Sequence, residues 1–191
     1  MQAIKSMNAE LAILPESQQK REKEFKEAGV DSFFVQPKKE SLEVVKETIR
    51  KIGALVDDNE RAENINKMFD EIINDVKNKT ANCSAEKRIV FMGSSLEEVV
   101  PTEMIQNNII EEAKGINAVT EYGKTHDNIN LEPGQYAKID TKTLADINPD
   151  IIIVPNYAKF DIDDVLNNSD LKNVKAVVNK QVYIFPSKLE P

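Results

Sequence analysis

The chain has 191 residues, 40% hydrophobic and 30% charged, enough for one large domain or two small lobes with a real core and too apolar for a disordered chain. No run approaches the roughly 18 apolar residues of a spanning helix, and a net charge of −8 repels phosphate backbones and argues against a nucleic-acid partner. The single cysteine, Cys83, and the single histidine, His126, exclude an internal disulfide, Cys-rich metal centres and His-pair metal motifs.

The opening residues, Met1 to Glu10, carry no apolar signal-peptide core, which fits either a cytosolic protein or a chain trimmed of its leader. Leu11 to Leu14 is a short apolar run stopped by Pro15 and predicts a strand. Glu16 to Ala28 reads as a helix with Gly29 as its C′ residue, and Ser32 to Val35 as a second strand before Pro37. Ser41 caps a predicted helix through Ile52, with Leu42, Val45, Ile49 and Ile52 at helical spacing and Gly53 as its end. Asp58 or Asn59 restarts a helix to about Asn78, some 30 Å long, with Ala62, Ile65, Phe69, Ile72, Ile73 and Val76 on one stripe. The polar stretch Asn78 to Lys87 is the linker candidate.

Arg88 to Met92 predicts a strand running into Gly93-Ser94-Ser95. A helix follows over about Thr102 to Ala113, ended by Gly115, and Asn117 to Lys138 reads as loop-rich. Asp140 opens a short helix to about Asp146. Ile151 to Val154 is an apolar β-branched strand, Asp161 to Leu166 a short helix, and Gln181 to Phe185 the last strand, stopped by Pro186.

A weak internal repeat runs through this pattern. Asn8-Ala-Glu10-Leu-Ala-Ile-Leu-Pro15 lines up with Asn148-Pro-Asp150-Ile-Ile-Ile-Val-Pro155. Each half then has a helical stretch and a second strand ending in proline, at Pro37 and Pro186. Any βαβ unit has some of this character; the sharper reading is two similar α/β lobes joined by the helix near Asp58 to Asn78, with the first lobe cut short.

Asn148-Pro149-Asp150 before a strand, and Ala176-Val-Val-Asn-Lys180-Gln-Val-Tyr-Ile-Phe-Pro186 after it, resemble segments of the substrate-binding proteins of ABC importers for iron–siderophore, haem and cobalamin. Ile49 to Gly53 with Arg61-Ala62 resembles the start of that family's connecting helix. Gly115-Ile-Asn117-Ala118 resembles its Gly-Gly-x-Asn-Ala segment, with Lys114 in place of one glycine. The resemblance covers nearly the whole chain in family order.

It implies an α/β fold of two Rossmann-like lobes, parallel sheets flanked by helices, joined by a long connecting helix. On it, residues 1–39 are a remnant of the first lobe, 40–80 a helical segment with the connecting helix, and 81–191 the second lobe. The implied function is an extracytoplasmic solute-binding component, periplasmic or anchored at the cell surface, here a fragment. It would bind an iron complex, related metal chelate or corrinoid between the lobes and deliver it to ABC permease subunits. No catalysis, resident cofactor or dedicated protein metal site is implied. Open sheet edges predict a homo-oligomer. A small α/β enzyme and a non-catalytic interaction module from a truncated gene are the alternatives.

Ligands of open α/β sheets sit at the carboxyl ends of the strands. That places Gly93, Ser94, Ser95, Tyr136, Asn156, Tyr157 and Ser187 as the binding candidates. Gly93-Ser94-Ser95 offers backbone N–H groups and two hydroxyls to an oxygen-rich ligand, or is a plain tight turn. Tyr136 and Tyr157 offer an aromatic face or a phenolate for Fe³⁺, or simply pack. Asn156 otherwise caps a turn. His126 reads as solvated, Cys83 as a passive thiol, and Asp161-Ile-Asp163-Asp164 as helix-start charge rather than a calcium loop. The four arginines do not gather at the strand ends. Glu97, Glu98, Glu111 and Glu112 are outward-facing candidates, by charge alone, for permease arginines.

Overall fold

The computed structural model describes residues 6, 8–35, 41–83, 86–132 and 134–186. Ser187 lies outside the described residues. The chain divides into two compact units, Met1–Glu40 and Ser41–Pro191.

In the first unit, β1 (Leu11–Pro15) pairs in parallel with β2 (Asp31–Val35), from Leu11 opposite Asp31 to Pro15 opposite Val35. The segment between them is not one α-helix. Glu16–Arg21 is 3₁₀, and only α1 (Glu22–Glu27) is α-helical. Gly29 takes φ 79° after α1. Its N–H donates to the Lys26 carbonyl at 3.0 Å and the Val30 N–H to the Phe25 carbonyl at 3.0 Å. This is the Schellman arrangement, and its two apolar partners, Phe25 and Val30, are buried.

The second unit opens with two helices, α2 (Leu42–Leu55), capped by Ser41, and α3 (Asn59–Thr80), capped by Asp58. The prediction that Gly53 ends the first helix is wrong. Gly53 lies inside α2, where a Cβ would come within 2.5 Å of the Ala62 Cβ, so its missing side chain lets α3 approach. Between the helices the Lys46 ammonium is paired with Asp70 at 2.6 Å, and Asn66 donates to the Lys46 carbonyl at 3.1 Å. The Asp70 hydrogen bond raises the Lys46 pKa.

A four-stranded parallel sheet follows in the order β5-β3-β7-β8: β3 (Arg88–Phe91), β5 (Ile116–Asn117), β7 (Ile151–Pro155) and β8 (Val182–Phe185). The period-2 alternation of the strands divides the core between two faces. Val90, Met92, Ile152 and Val154 join one apolar cluster; Ile89, Phe91, Ile151 and Ile153 belong to the other. Ile152 and Val154 are fully buried, each worth about 1.5–3 kcal/mol of burial.

The helices packed around this sheet are α4 (Ile105–Glu112), α5 (Ala118–Gly123), α6 (Thr141–Ile147), α7 (Ile162–Leu166) and α8 (Lys175–Val178). The loop-rich stretch Asn117 to Lys138 holds two short elements. Asn117 caps α5 through its Oδ1, and β6 (Ala137–Lys138) pairs antiparallel with β4 (Glu98–Val99). Glycine is also not the left-handed residue that ends α4: Lys114 holds φ 57°, and Gly115 follows it where a Cβ would meet the Ile89 and Ile110 side chains at 2.7 and 2.9 Å.

Candidate functional site

The central strands β3 and β7 lie side by side, so their carboxyl ends carry the segments after Phe91 and after Pro155 to one edge. The Met92 N–H donates to the Ile153 carbonyl at 2.8 Å, the last bond of that ladder. The chain then doubles back. The Gly93 N–H donates to the Glu98 carbonyl at 2.6 Å, and the Val100 N–H to the Phe91 carbonyl at 2.8 Å. The β4–β6 ladder brings Ala137, and so Tyr136 before it, against this turn.

Gly93 is required by space rather than by φ. A Cβ there would stand 2.6 Å from the Glu98 Cβ, 3.1 Å from Tyr136 Cδ1 and 3.2 Å from Glu98 Oε2. Two side chains, those of Glu98 and Tyr136, thus converge on the missing one.

The expectation that Ser94 offers free donors is overturned. Its N–H and its hydroxyl both donate to Glu98 Oε2, at 3.1 and 2.6 Å. Those bonds hold the Glu98 carboxyl below the usual carboxylate range. The hydroxyl is the largest cause, burial opposes it, and Lys138 and Lys159 add weaker attraction. Glu98 is therefore turned inward as a positioning residue, not outward as a docking charge. The Ser95 carbonyl accepts the Glu98 N–H at 3.1 Å, closing the turn.

The segment after β7 is tied to the same turn by the Lys159 N–H, which donates to the Ser94 carbonyl at 2.9 Å. The Asn156 N–H donates to the Phe185 carbonyl at 3.0 Å, fixing the start of that segment to β8. Tyr136 and Tyr157, 21 residues apart in sequence, meet with hydroxyl oxygens 2.9 Å apart. Tyr157 is half exposed, while Tyr136 packs on the cluster of Phe91, Val100 and Met104. Phe91 and Phe185 meet edge-on at 5.2 Å beneath.

The structure thus brings Gly93, Ser94, Ser95, Tyr136, Asn156 and Tyr157 to one edge. Sequence reading missed Glu98 in this role, and Lys138 and Lys159 altogether. Two-residue strands give no periodicity, so nothing local announced the β4–β6 ladder that assembles them. Of the arginines of this unit, Arg50 pairs with Glu63 at 2.9 Å and Arg61 lies in the first turn of α3. Arg88 sits at the opening of β3, donating to the Ile147 carbonyl at 2.7 Å and pairing with Glu121 at 2.6 Å.

Of the other acidic candidates, Glu97 is exposed. Glu111 accepts from Asn107 at 2.9 Å, and Glu112 pairs with Lys77 at 2.8 Å. Asp161 and Asp164 form a capping box on α7. Among the described residues no three His, Cys, Asp or Glu side chains gather to hold a metal ion. The edge can offer phenolic hydrogen bonds and ring faces, one ionised carboxylate, and two ammonium groups.

The family model of the periplasmic binding proteins matches residues 10–189. The chain belongs to the periplasmic binding protein family. This family is extracytoplasmic, and its members bind solutes rather than catalyse reactions. Among the described residues no helix is long and apolar enough to cross a membrane.

Solved structures share the fold. A periplasmic solute binding protein from Veillonella parvula is 21% identical, with 96% of this chain and 54% of that one covered and a TM-score of 0.69. CeuE from Helicobacter pylori, with Ni(II) bound, is 20% identical, with 98% and 58% covered and a TM-score of 0.78. IsdE from S. aureus, complexed with heme, is 19% identical, with 97% and 70% covered and a TM-score of 0.73. This periplasmic binding protein chain spans just over half the length of the first two. No curated protein matches its sequence.

Proposed function

We propose that this chain is part of the extracytoplasmic solute receptor of an ABC importer. Its ligand is an iron complex, a related metal chelate or a corrinoid, held at the carboxyl edge of β3 and β7 and delivered to permease subunits. The observation that carries this reading is the Tyr136–Tyr157 hydroxyl pair, 2.9 Å apart at the edge where ligands of open α/β sheets bind. Phenol oxygens are hard donors suited to Fe³⁺ or to the oxygen-rich rim of its chelates, and their rings suit a planar macrocycle. Glu98, fixed by Ser94, holds the turn on which Tyr136 rests. The exposed Glu97 is the acidic group on this unit that we assign to permease recognition.

The chain has four tyrosines and no tryptophan, so its intrinsic emission comes from tyrosine. Titration with a ferric chelate, haemin and a corrinoid, read by tyrosine quenching and by direct calorimetry, tests the reading. Saturable binding of one class, weakened when Tyr157 is replaced, is expected; absence of binding to all three would remove it.

A further inference from the structure

The carboxyl edge of β3 and β7 gathers charge of the sign opposite to the chain's own. The net charge is −8, yet two lysines reach this edge from different parts of the sequence. Lys138 stands directly opposite Glu98 in the β4–β6 ladder. Their ladder neighbours Val99 and Ala137 are buried, so Glu98 and Lys138 share the other face. Tyr136 lies beside that face: its Cδ1 and Glu98 Oε2 stand 3.1 and 3.2 Å from the point a Cβ on Gly93 would occupy. Lys159 arrives on the segment after β7, two residues beyond Tyr157, with its N–H on the Ser94 carbonyl at 2.9 Å.

Both lysines are exposed, and among the described residues neither ammonium closes an ion pair. The carboxylate that attracts both, Glu98, is already held by the Ser94 N–H and hydroxyl. The acidic residues that follow the two lysines in sequence are engaged as helix caps: Asp140 accepts the Thr143 N–H at 2.7 Å, and Asp161 the Asp164 N–H at 3.0 Å. Two ammonium groups thus face one committed carboxylate, and the positive charge left over lies beside the tyrosines. Such a charge favours an anion that comes to rest there.

We propose that Lys138 and Lys159 form an anion-binding pair through which this edge selects negatively charged iron complexes over neutral chelates and corrinoids. The inference rests on the receptor reading and narrows its ligand class. A ferric tricatecholate is a trianion and a ferric trihydroxamate is neutral, although each surrounds Fe³⁺ with oxygen donors. Haemin, with its propionates, falls with the anions.

Calorimetric titration of the whole chain with a ferric tricatecholate and a ferric trihydroxamate compares the two charges on one metal. The anion is expected to bind about tenfold more tightly at low salt, with the preference shrinking as ionic strength rises from about 0.01 to 0.5 M. Lys138→Met and Lys159→Met each weaken the anion about two- to fivefold and leave the neutral complex unchanged. The arginine variants at both positions, which keep the charge, keep the preference. A second probe does without iron: citrate alone, followed through lysine side-chain NMR signals, shifts Lys138 and Lys159 but not the exposed Lys172. Equal affinity for the two chelates, or a preference that survives loss of both lysines, overturns the proposal and leaves the receptor reading standing. Citrate shifts at the two lysines without binding of any chelate support the anion pair and remove the receptor reading. Citrate that shifts neither lysine overturns the proposal whatever the chelates do.

Discussion

Asn8 and Asn148 hold the same left-handed backbone, φ 50° and 49°, each three residues ahead of a five-residue strand that ends in proline. The two strands also pair alike. Pro15 lies opposite Val35 in one unit, and Pro155 opposite Phe185 in the other, both in parallel ladders. The internal repeat is therefore one of conformation as well as of letters. Asparagine is the residue other than glycine that tolerates this backbone most readily.

At position 148 asparagine does more than tolerate the turn. Its Oδ1 accepts the Lys175 N–H at 2.9 Å, supplying the opening of α8 with the side-chain acceptor that its own N-cap, Val174, lacks. Asn148→Ala is expected to cost about 2 kcal/mol, combining the left-handed penalty with the lost acceptor. Asn148→Gly keeps the backbone and is expected to lose only about 1 kcal/mol. Urea unfolding followed by circular dichroism separates them; equal losses would show that the left-handed backbone contributes nothing to the cost.

Much of the fold was legible because it follows from local signals. The apolar runs Leu11–Leu14 and Ile151–Val154 lie in β1 and β7, and Ser41, Asp58 and Asp140 cap the helices they were expected to cap. Gly53 misled because a helix-ending glycine and a glycine that admits a neighbouring helix look alike in sequence. The site was half legible. The strand-end rule located Gly93–Ser95 and Tyr157, but the fate of the Ser94 donors depended on Glu98, whose inward turn follows from a two-residue ladder with residues 40 positions away. Charge alone placed Glu98 on the outside; the hydrogen bonds of a turn placed it inside.

Lys114 is a lysine in a glycine's place. Its φ of 57° ends α4, with its N–H on the Glu111 carbonyl at 2.9 Å and the Gly115 N–H on the Ile110 carbonyl at 2.8 Å. A side chain costs about 1 kcal/mol in this conformation, offset in part by the exposed Lys114 ammonium, which donates to the Ala81 carbonyl at 3.0 Å. Lys114→Gly is expected to stabilise the chain by about 0.5–1 kcal/mol. Lys114→Val, β-branched in the same backbone, is expected to destabilise it. A shift of the urea midpoint downward for glycine would contradict the assignment.

Glu98 gives the site an acid sensitivity of definite sign. Its pKa in the folded chain is lowered below the ordinary 4.5, chiefly by the Ser94 hydroxyl. A carboxylate held low in the folded state stabilises folding fully above its unfolded value and loses that contribution as pH falls through the folded one. Wild type should therefore exceed Glu98→Gln in stability at neutral pH and converge with it as pH falls through the lowered pKa of the folded chain. Ser94→Ala should lose part of the same margin and raise the carboxyl's titration midpoint. Denaturant midpoints measured from pH 3 to 7 for the three chains check this; curves that stay parallel across the range would show that Glu98 is not ionised against Ser94.

The tyrosine pair makes a prediction about coupling rather than strength alone. Each hydroxyl is the other's partner at 2.9 Å, so removing one also loosens the aim of its neighbour. On the proposed reading, Tyr136→Phe and Tyr157→Phe each weaken the bound ferric chelate, haemin or corrinoid about tenfold, a loss of about 1.4 kcal/mol. The double variant should be scarcely weaker than either, because residues that act as one unit lose their effects together and not additively. Gly93→Ala should weaken binding similarly with both phenols intact, because the new methyl pushes on Glu98 and on the Tyr136 ring. Losses that simply add in the double tyrosine variant would mean that the two phenols meet the ligand independently, and that their contact is incidental to binding.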